Sequence, residues 1–422
     1  LQSPDLPLSE TPAEIVAEPT APIPNGRDAY WPQLDGLRAA AFIMVYLQHM
    51  GKIKGDFPAW ATPLLYTMES LLSWCWLSVD IFFALSGFLI THLLLAEKAQ
   101  FGDISFKQFF CRRALRIWPL YYIVLLYACV IAPLMQAQQV DPAIYSEFLL
   151  KQGLPLLFFG GNYSLIFTNV LMHYTAYIIL PVIYLLIPLW SVAVEEQFYL
   201  TWPLLLKVLR TPRSMYITMA IFSVVSLISR GVLWWVSRYK THVDFPVNVY
   251  VQPTISHMEP LMAGCGLAVT LFYYPQIIEN LKPHANRLIL FLVALCGASM
   301  LVFPDRHYNT YMNIPCLTVV SFGCLLVLII TLVSPPVSRF LSTKIMTLLG
   351  RLTYCMYLVH YFVMAIVSHE LTKRWPVQDL ENVSFWLIKM SVSALITFVI
   401  AFASWHLIER RILRLRKHFN RR

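Results

Sequence analysis

Ten long apolar runs joined by polar links leave this chain little choice of fold. They lie near 36–50, 71–96, 115–135, 190–208, 214–236, 257–274, 288–303, 313–333, 350–368 and 384–408. A helix needs roughly 20 residues to cross a hydrocarbon core of about 30 Å, and it satisfies its own backbone where no water can. With 58% hydrophobic and 13% charged residues, an ordinary soluble domain is excluded. The expected fold is all-α, a polytopic transmembrane helical bundle of about 10–12 spans. Region 148–189 sets that range. It holds either two more crossings or a re-entrant pair broken by Gly153, Pro155, Gly160, Gly161 and Pro181.

Either choice preserves the parity of the later spans. With the N-terminus placed in the cytoplasm, the inside loops carry twenty lysines and arginines and the outside loops seven. That bias predicts both termini cytoplasmic. The net charge of +9 therefore reflects membrane topology, and no nucleic-acid partner is expected. Residues 1–32 hold several prolines, five carboxylates and a single Arg27 without a long apolar run. They read as a disordered tail, not a secretory signal, ahead of an integral-membrane domain over 33–422. The eight cysteines lie mostly in apolar runs with no C-x-x-C pair, so packing is expected of them and no metal site.

Within the first run, Arg38 and His49 stand eleven residues apart. Eleven steps of 100° return to within roughly 20°, so both lie on one helix face about 16 Å apart. Asp35 is placed to cap this helix and to lie near Arg38. The competing reading is an anchoring arginine and an interfacial histidine at the two ends of a span. In the second run Asp80, Ala84, Gly87 and Thr91 share a face. The small residues read as a packing seam, while Asp80 needs a cation, for which Arg38 or His49 would serve. His92 is expected at the cytoplasmic interface. Arg112, Arg113 and Arg116 form a cluster whose guanidinium forks suit phosphate, with Trp118, Tyr121 and Tyr122 able to stack on a planar base. Plain positive-inside anchoring explains the cluster equally well. Glu195 and Glu196 adjoin an apolar span. Adjacent residues point about 100° apart, so one can face a cavity while the other pairs sideways. Buried carboxylate pairs also tend to separate in pKa, which poises one as an acid or base.

Several segments together resemble the membrane acyltransferase-3 family of bacterial O-antigen and exopolysaccharide O-acetyltransferases. They are Leu34-Asp-Gly-Leu-Arg38 through His49, Ser78-Val-Asp80-Ile-Phe-Phe-Ala-Leu-Ser-Gly87, Arg112-Arg113-Ala-Leu-Arg116-Ile-Trp-Pro119, and Trp190-Ser-Val-Ala-Val-Glu195-Glu196-Gln-Phe-Tyr199. Leu349-Gly-Arg-Leu-Thr-Tyr354-Cys-Met-Tyr357-Leu-Val-His360 is similar to a late motif of that family, with Thr353 and Cys355 in place of serines. Ile408-Glu409 resembles its closing glutamate, followed here by Arg410-Arg411 in place of Lys-Pro.

The resemblance implies a multi-pass enzyme of the bacterial inner membrane. It implies acetyl-CoA as cytoplasmic acyl donor, no metal, and a membrane-associated or lipid-linked glycan hydroxyl as acceptor. On this reading His49 is the general base or a transient acyl carrier, oriented by Glu195 or Glu196, and Arg38 holds the donor or the developing oxyanion. Arg112, Arg113, Arg116 and Tyr122 would bind the donor, with Asp35, Asp80 and Tyr199 in support. The chain is expected to lack the periplasmic esterase-like domain that some members carry. Two alternatives stand beside this reading: an O-acyltransferase for a small molecule of macrolide type, and a non-enzymatic transporter or flippase.

Overall fold

The computed structural model describes residues 30–50, 62–135, 142–167, 184–241, 252–303, 313–374 and 383–419. All regular structure among them is helical. In chain order come α1 (Pro32–His49), α2 (Thr62–Trp74), α3 (Ser78–Phe101) and α4 (Phe106–Leu126). Two short helices follow, α5 (Pro142–Phe148) and α6 (Gly161–Phe167). Then come α7 (Leu189–Val208), α8 (Pro212–Val236), α9 (Glu259–Tyr273) and α10 (Ala285–Val302). The last three are α11 (Asn313–Val333), α12 (Lys344–Thr372) and α13 (Val383–Ser404), which runs on through further helical turns to Phe419.

Each of the ten apolar runs has its helix. Among the described residues, seven helical stretches are long and apolar enough to cross a membrane, and α1, α7 and α9 are not among them. α9 is apolar but only 15 residues long. α1 and α7 carry Asp35 and Arg38, and Glu195 and Glu196, and give up hydropathy to polar groups turned into the protein. The stretches containing α8 and α10 are only 17% and 11% buried, as lipid-facing helices should be.

Two close approaches set the frame. α3 lies against α9, where a Cβ at Gly87 would enter the carbonyl of Leu261 and one at Gly264 that of Ala84. This is the seam expected from Ala84, Gly87 and Thr91, and the Thr91 hydroxyl accepts from the Trp202 indole at 2.7 Å. α1 lies against α12 in the same way. A Cβ at Gly36 would enter the carbonyl of Leu341, and one at Gly350 that of Asp35. We expect Gly350→Ala to cost about 1–3 kcal/mol in thermal unfolding, as overpacking does. Gly231→Ala, where a Cβ meets nothing, should be neutral or slightly stabilising. Equal melting of the two variants would refute the close-approach argument.

Residues 142–167 form a helical hairpin. Tyr145 donates to the carbonyl of Cys129 at 2.5 Å, while Tyr121 and Tyr122 donate to Leu156 and Leu157 at 2.7 and 3.1 Å. The strand of contacts therefore runs back along the helical stretch of α4, and the chain reverses at Phe158–Gly160 before α6. Phe159 takes φ 55°, unusual for an aromatic residue. Gln197 holds it by donating to its carbonyl at 2.7 Å, and the Tyr121 ring lies 4.5 Å away. The remainder of the ambiguous region, 168–183, lies outside the described residues, as does the expected tail up to residue 29.

The tail boundary moves. Pro32 begins α1, Trp31 packs on Phe88 and His92, and Tyr30 bonds Asp35, so these residues belong to the fold. Because the helix starts at Pro32, Asp35 lies within its first turn and does not cap it. His92 is likewise no interfacial residue. It is 6% exposed, enclosed by Trp31, Phe88 and Phe272.

Candidate active site

A cavity of 430 Å³ lies among α1, α3, α4, α7, α12 and the extension of α13. Its lining includes Arg38, Arg113, Arg116 and Arg416. Arg38 is engaged, donating to Asp35 Oδ1 at 2.7 Å, and the other Asp35 oxygen accepts from Tyr30 at 2.9 Å. Arg113 lies over the rings of Phe109 and Tyr199, 5.9 and 5.7 Å from their centroids. Among the described residues, Arg113, Arg116 and Arg416 make no ion pair or hydrogen bond. Three guanidinium groups left unmatched inside a bundle form a site for a multiply charged anion.

Besides Asp35, two carboxylates line the same cavity. Glu195 accepts from Ser86 Oγ at 2.6 Å and lies 3.0 Å from the Tyr199 hydroxyl. Glu409 accepts from Ser404 at 3.1 Å. Apolar Val79, Phe82 and Phe83 continue the wall toward Ser191 and Tyr357, whose hydroxyl oxygens lie 2.7 Å apart.

The structure thus brings together Asp35, Arg38, Arg113, Arg116, Glu195 and Tyr199. It does not bring the other candidates there. Arg112, one residue from Arg113, is turned to Glu97 at 3.1 Å and to the carbonyl of Phe419 at 2.8 Å, so it ties α4 to the chain end. Tyr122 belongs to the hairpin contact. Glu196 points away from Glu195, as the 100° offset requires, and accepts from the Trp118 indole at 3.1 Å. Its second oxygen is buried without a partner.

Two expectations need correction. Asp80 meets neither Arg38 nor His49. It pairs with His257, both being almost fully buried, because the α3–α9 seam carries the segment before α9 onto this part of α3. Nor does Glu195 or Glu196 orient His49. Glu195 lines the cavity with Arg38, and His49 lies about 16 Å further along α1, outside the cavity lining. There its ring contacts His360 and Tyr361, with centroids 5.2 and 4.5 Å away.

Sequence reasoning passed over four charges. Arg416 and Glu409 lay in a C-terminal basic run and in a motif, with nothing to show that α13 bends its end back to the cavity. Arg230 and Glu259 form a buried ion pair at 2.6 Å. A lone arginine inside the run 214–236 was the available signal.

The chain is thus a multi-pass helical bundle folded round an arginine-lined cavity. A family model described as an acyltransferase domain matches residues 31–402, and the chain belongs to that family. It is 28% identical over 391 residues to a peptidoglycan O-acetyltransferase of Listeria monocytogenes, covering 91% of this chain and 56% of the relative. It is also 28% identical over 376 residues to an O-acetyltransferase of Staphylococcus aureus, covering 87% and 55%. The chain thus spans little more than half the length of either relative. No solved structure matches it.

Proposed function

We propose that the protein is a membrane O-acetyltransferase that moves an acetyl group from acetyl-CoA to a hydroxyl of a cell-envelope glycan. The observation that carries this is the cavity, where Arg113, Arg116 and Arg416 converge unpaired. Three phosphates of a coenzyme A thioester match three free guanidinium groups, and Trp31 and Trp405 in the lining offer faces for its base. The arginine-rich end then faces the cytoplasm, which agrees with the loop charges and with an inner-membrane setting. The pantetheine arm would run along the apolar wall toward Ser191 and Tyr357.

The names of the relatives favour peptidoglycan sugars as acceptor over O-antigen or exopolysaccharide. Family membership supports transfer over transport, and nothing in the cavity favours a macrolide. Arg38 and Glu195 share the wall along which the pantetheine arm would run, and the arm would carry the thioester on past Ser191 and Tyr357 toward His49. Arg38, held by Asp35, is placed to steady charge on the donor. His49 is the base for the acceptor hydroxyl.

The donor assignment has a direct test. Arg113→Gln and Arg116→Gln should each raise the KM for acetyl-CoA about 10- to 100-fold, since a charge-assisted bond contributes about 1.5–3 kcal/mol. Neither should change the KM for acetyl-pantetheine, which lacks the nucleotide phosphates. An unchanged acetyl-CoA KM in both variants would remove the arginines from donor binding.

A further inference from the structure

His49 is one half of a histidine pair. Its Nδ1 lies 2.8 Å from the carbonyl of Val45, one turn back on α1, and 3.4 Å from Nε2 of His360 on α12. The Nδ1 of His360 lies 2.7 Å from the carbonyl of Tyr357. A carbonyl oxygen only accepts, so each Nδ1 that faces one carries the proton. His360 is thereby held as its Nδ1–H tautomer, with a lone pair on Nε2 aimed at Nδ1–H of His49. That proton is shared between Val45 and His360. The Nε2 of His49 keeps its own lone pair, and no described residue hydrogen-bonds to it.

The surroundings of the pair are aromatic. His360 is 1% exposed and packs edge-on against Phe42, with Tyr46, Tyr357 and Tyr361 around it. The Tyr46 hydroxyl is committed to Met390 and Ser393 of α13. Lys389 of α13, the nearby cation, donates to the carbonyl of Met50. Among the described residues no carboxylate pairs with either histidine. The position a carboxylate fills in a catalytic triad is taken here by a neutral imidazole. It accepts more weakly, but it adds no second charge to a membrane interior.

We propose that His360 is a positioning residue for acyl transfer, fixing the tautomer and ring orientation of His49. The proposal rests on the acyltransferase reading above. The proton of the acceptor hydroxyl passes to Nε2 of His49 as the hydroxyl oxygen bonds to the thioester carbonyl carbon. The C–S bond then breaks, and the sulfur leaves as a thiol with the proton from Nε2. His49 begins and ends neutral. His360 exchanges no proton, and its Nε2 accepts from Nδ1–H more strongly while His49 is positive.

Two substitutions separate positioning from packing. His360→Phe keeps an aromatic ring among its neighbours and removes the acceptor. His360→Gln restores an acceptor oxygen near the position of Nε2. The phenylalanine variant should lose about 10- to 100-fold in kcat, the range found when the partner that orients a functional histidine is removed. Its acetyl-CoA KM should stay at the wild-type value, which also reports that the donor cavity is folded. The glutamine variant should recover most of kcat, and His49→Ala with His360→Phe should be no slower than His49→Ala alone. Wild-type kcat in His360→Phe beside an inactive His49→Ala overturns the positioning role and leaves the general base standing. A glutamine variant as slow as the phenylalanine one overturns it as well. Full activity in His49→Ala overturns the base and the positioning role together.

Discussion

Replacing His49 with alanine should abolish acetyl transfer while the bundle stays folded. General-base catalysis contributes typically about 10²- to 10⁴-fold. Its ring contacts only the edge of the His360 and Tyr361 cluster, and its hydrogen bonds run to its own helix and to His360. The measurement is acetyl transfer from acetyl-CoA by purified protein, with size-exclusion elution and thermal unfolding as controls. The same pair of proteins, given radiolabelled acetyl-CoA without acceptor, separates two mechanisms. Label trapped on the wild type and absent from His49→Ala marks a covalent relay through the histidine. Free CoA without trapped label, again lost in the variant, marks direct transfer or hydrolysis. Wild-type turnover in the variant would sink the assignment of His49.

Arg230→Met should be the most damaging single change to stability. Arg230 is fully buried and holds five partners. It pairs with Glu259 at 2.6 Å and donates to the hydroxyls of Thr318 and Ser226 at 3.0 and 3.1 Å. It also donates to the carbonyls of Ser256 and Ile314 at 2.8 and 3.2 Å. The Ser256 carbonyl explains why the charge is there. Between Gln252 and Met258 the chain holds only a single 3₁₀ turn, Thr254–Ser256, before α9 begins at Glu259. Irregular backbone inside a membrane protein survives where its polar groups are met by the protein itself.

Methionine conserves much of the arginine's volume and none of its donors. It leaves Glu259 buried without its cation and the Ser256 carbonyl without this donor. Removing one partner of a buried pair costs about 3–5 kcal/mol. Glu259→Gln should cost less, because the arginine keeps both carbonyls. Melting followed by fluorescence-detected size-exclusion chromatography checks the order. A glutamine variant that melts below the methionine variant would mean that the ion pair, and not the bond to the Ser256 carbonyl, holds this segment.

The helices were legible because hydropathy is local. Each apolar run carries its own demand to be buried or to face lipid, and all ten became helices whatever their neighbours. Directions around a helix were legible for the same reason. The α3 seam of small residues, the shared face of Arg38 and His49, and the divergence of Glu195 from Glu196 follow from about 100° per residue alone. Family membership rested on those same motifs, in order along the chain.

Partners were not legible, because a helix face says nothing about what will be laid against it. Arg113 and Arg116 entered the cavity while Arg112 took Glu97, a division made by where the chain end packs on α4. Asp80 took His257 because Gly87 and Gly264 let α9 lie close against α3. Gly350 likewise laid α12 along α1, with Gly36 against Leu341 just before it, so His49 met His360 instead of a glutamate. The sequence by itself determined a helical membrane bundle, its motif residues and the face each one occupies. Tertiary structure decided which charges meet, since that depends on how closely two backbones can approach far apart in the chain.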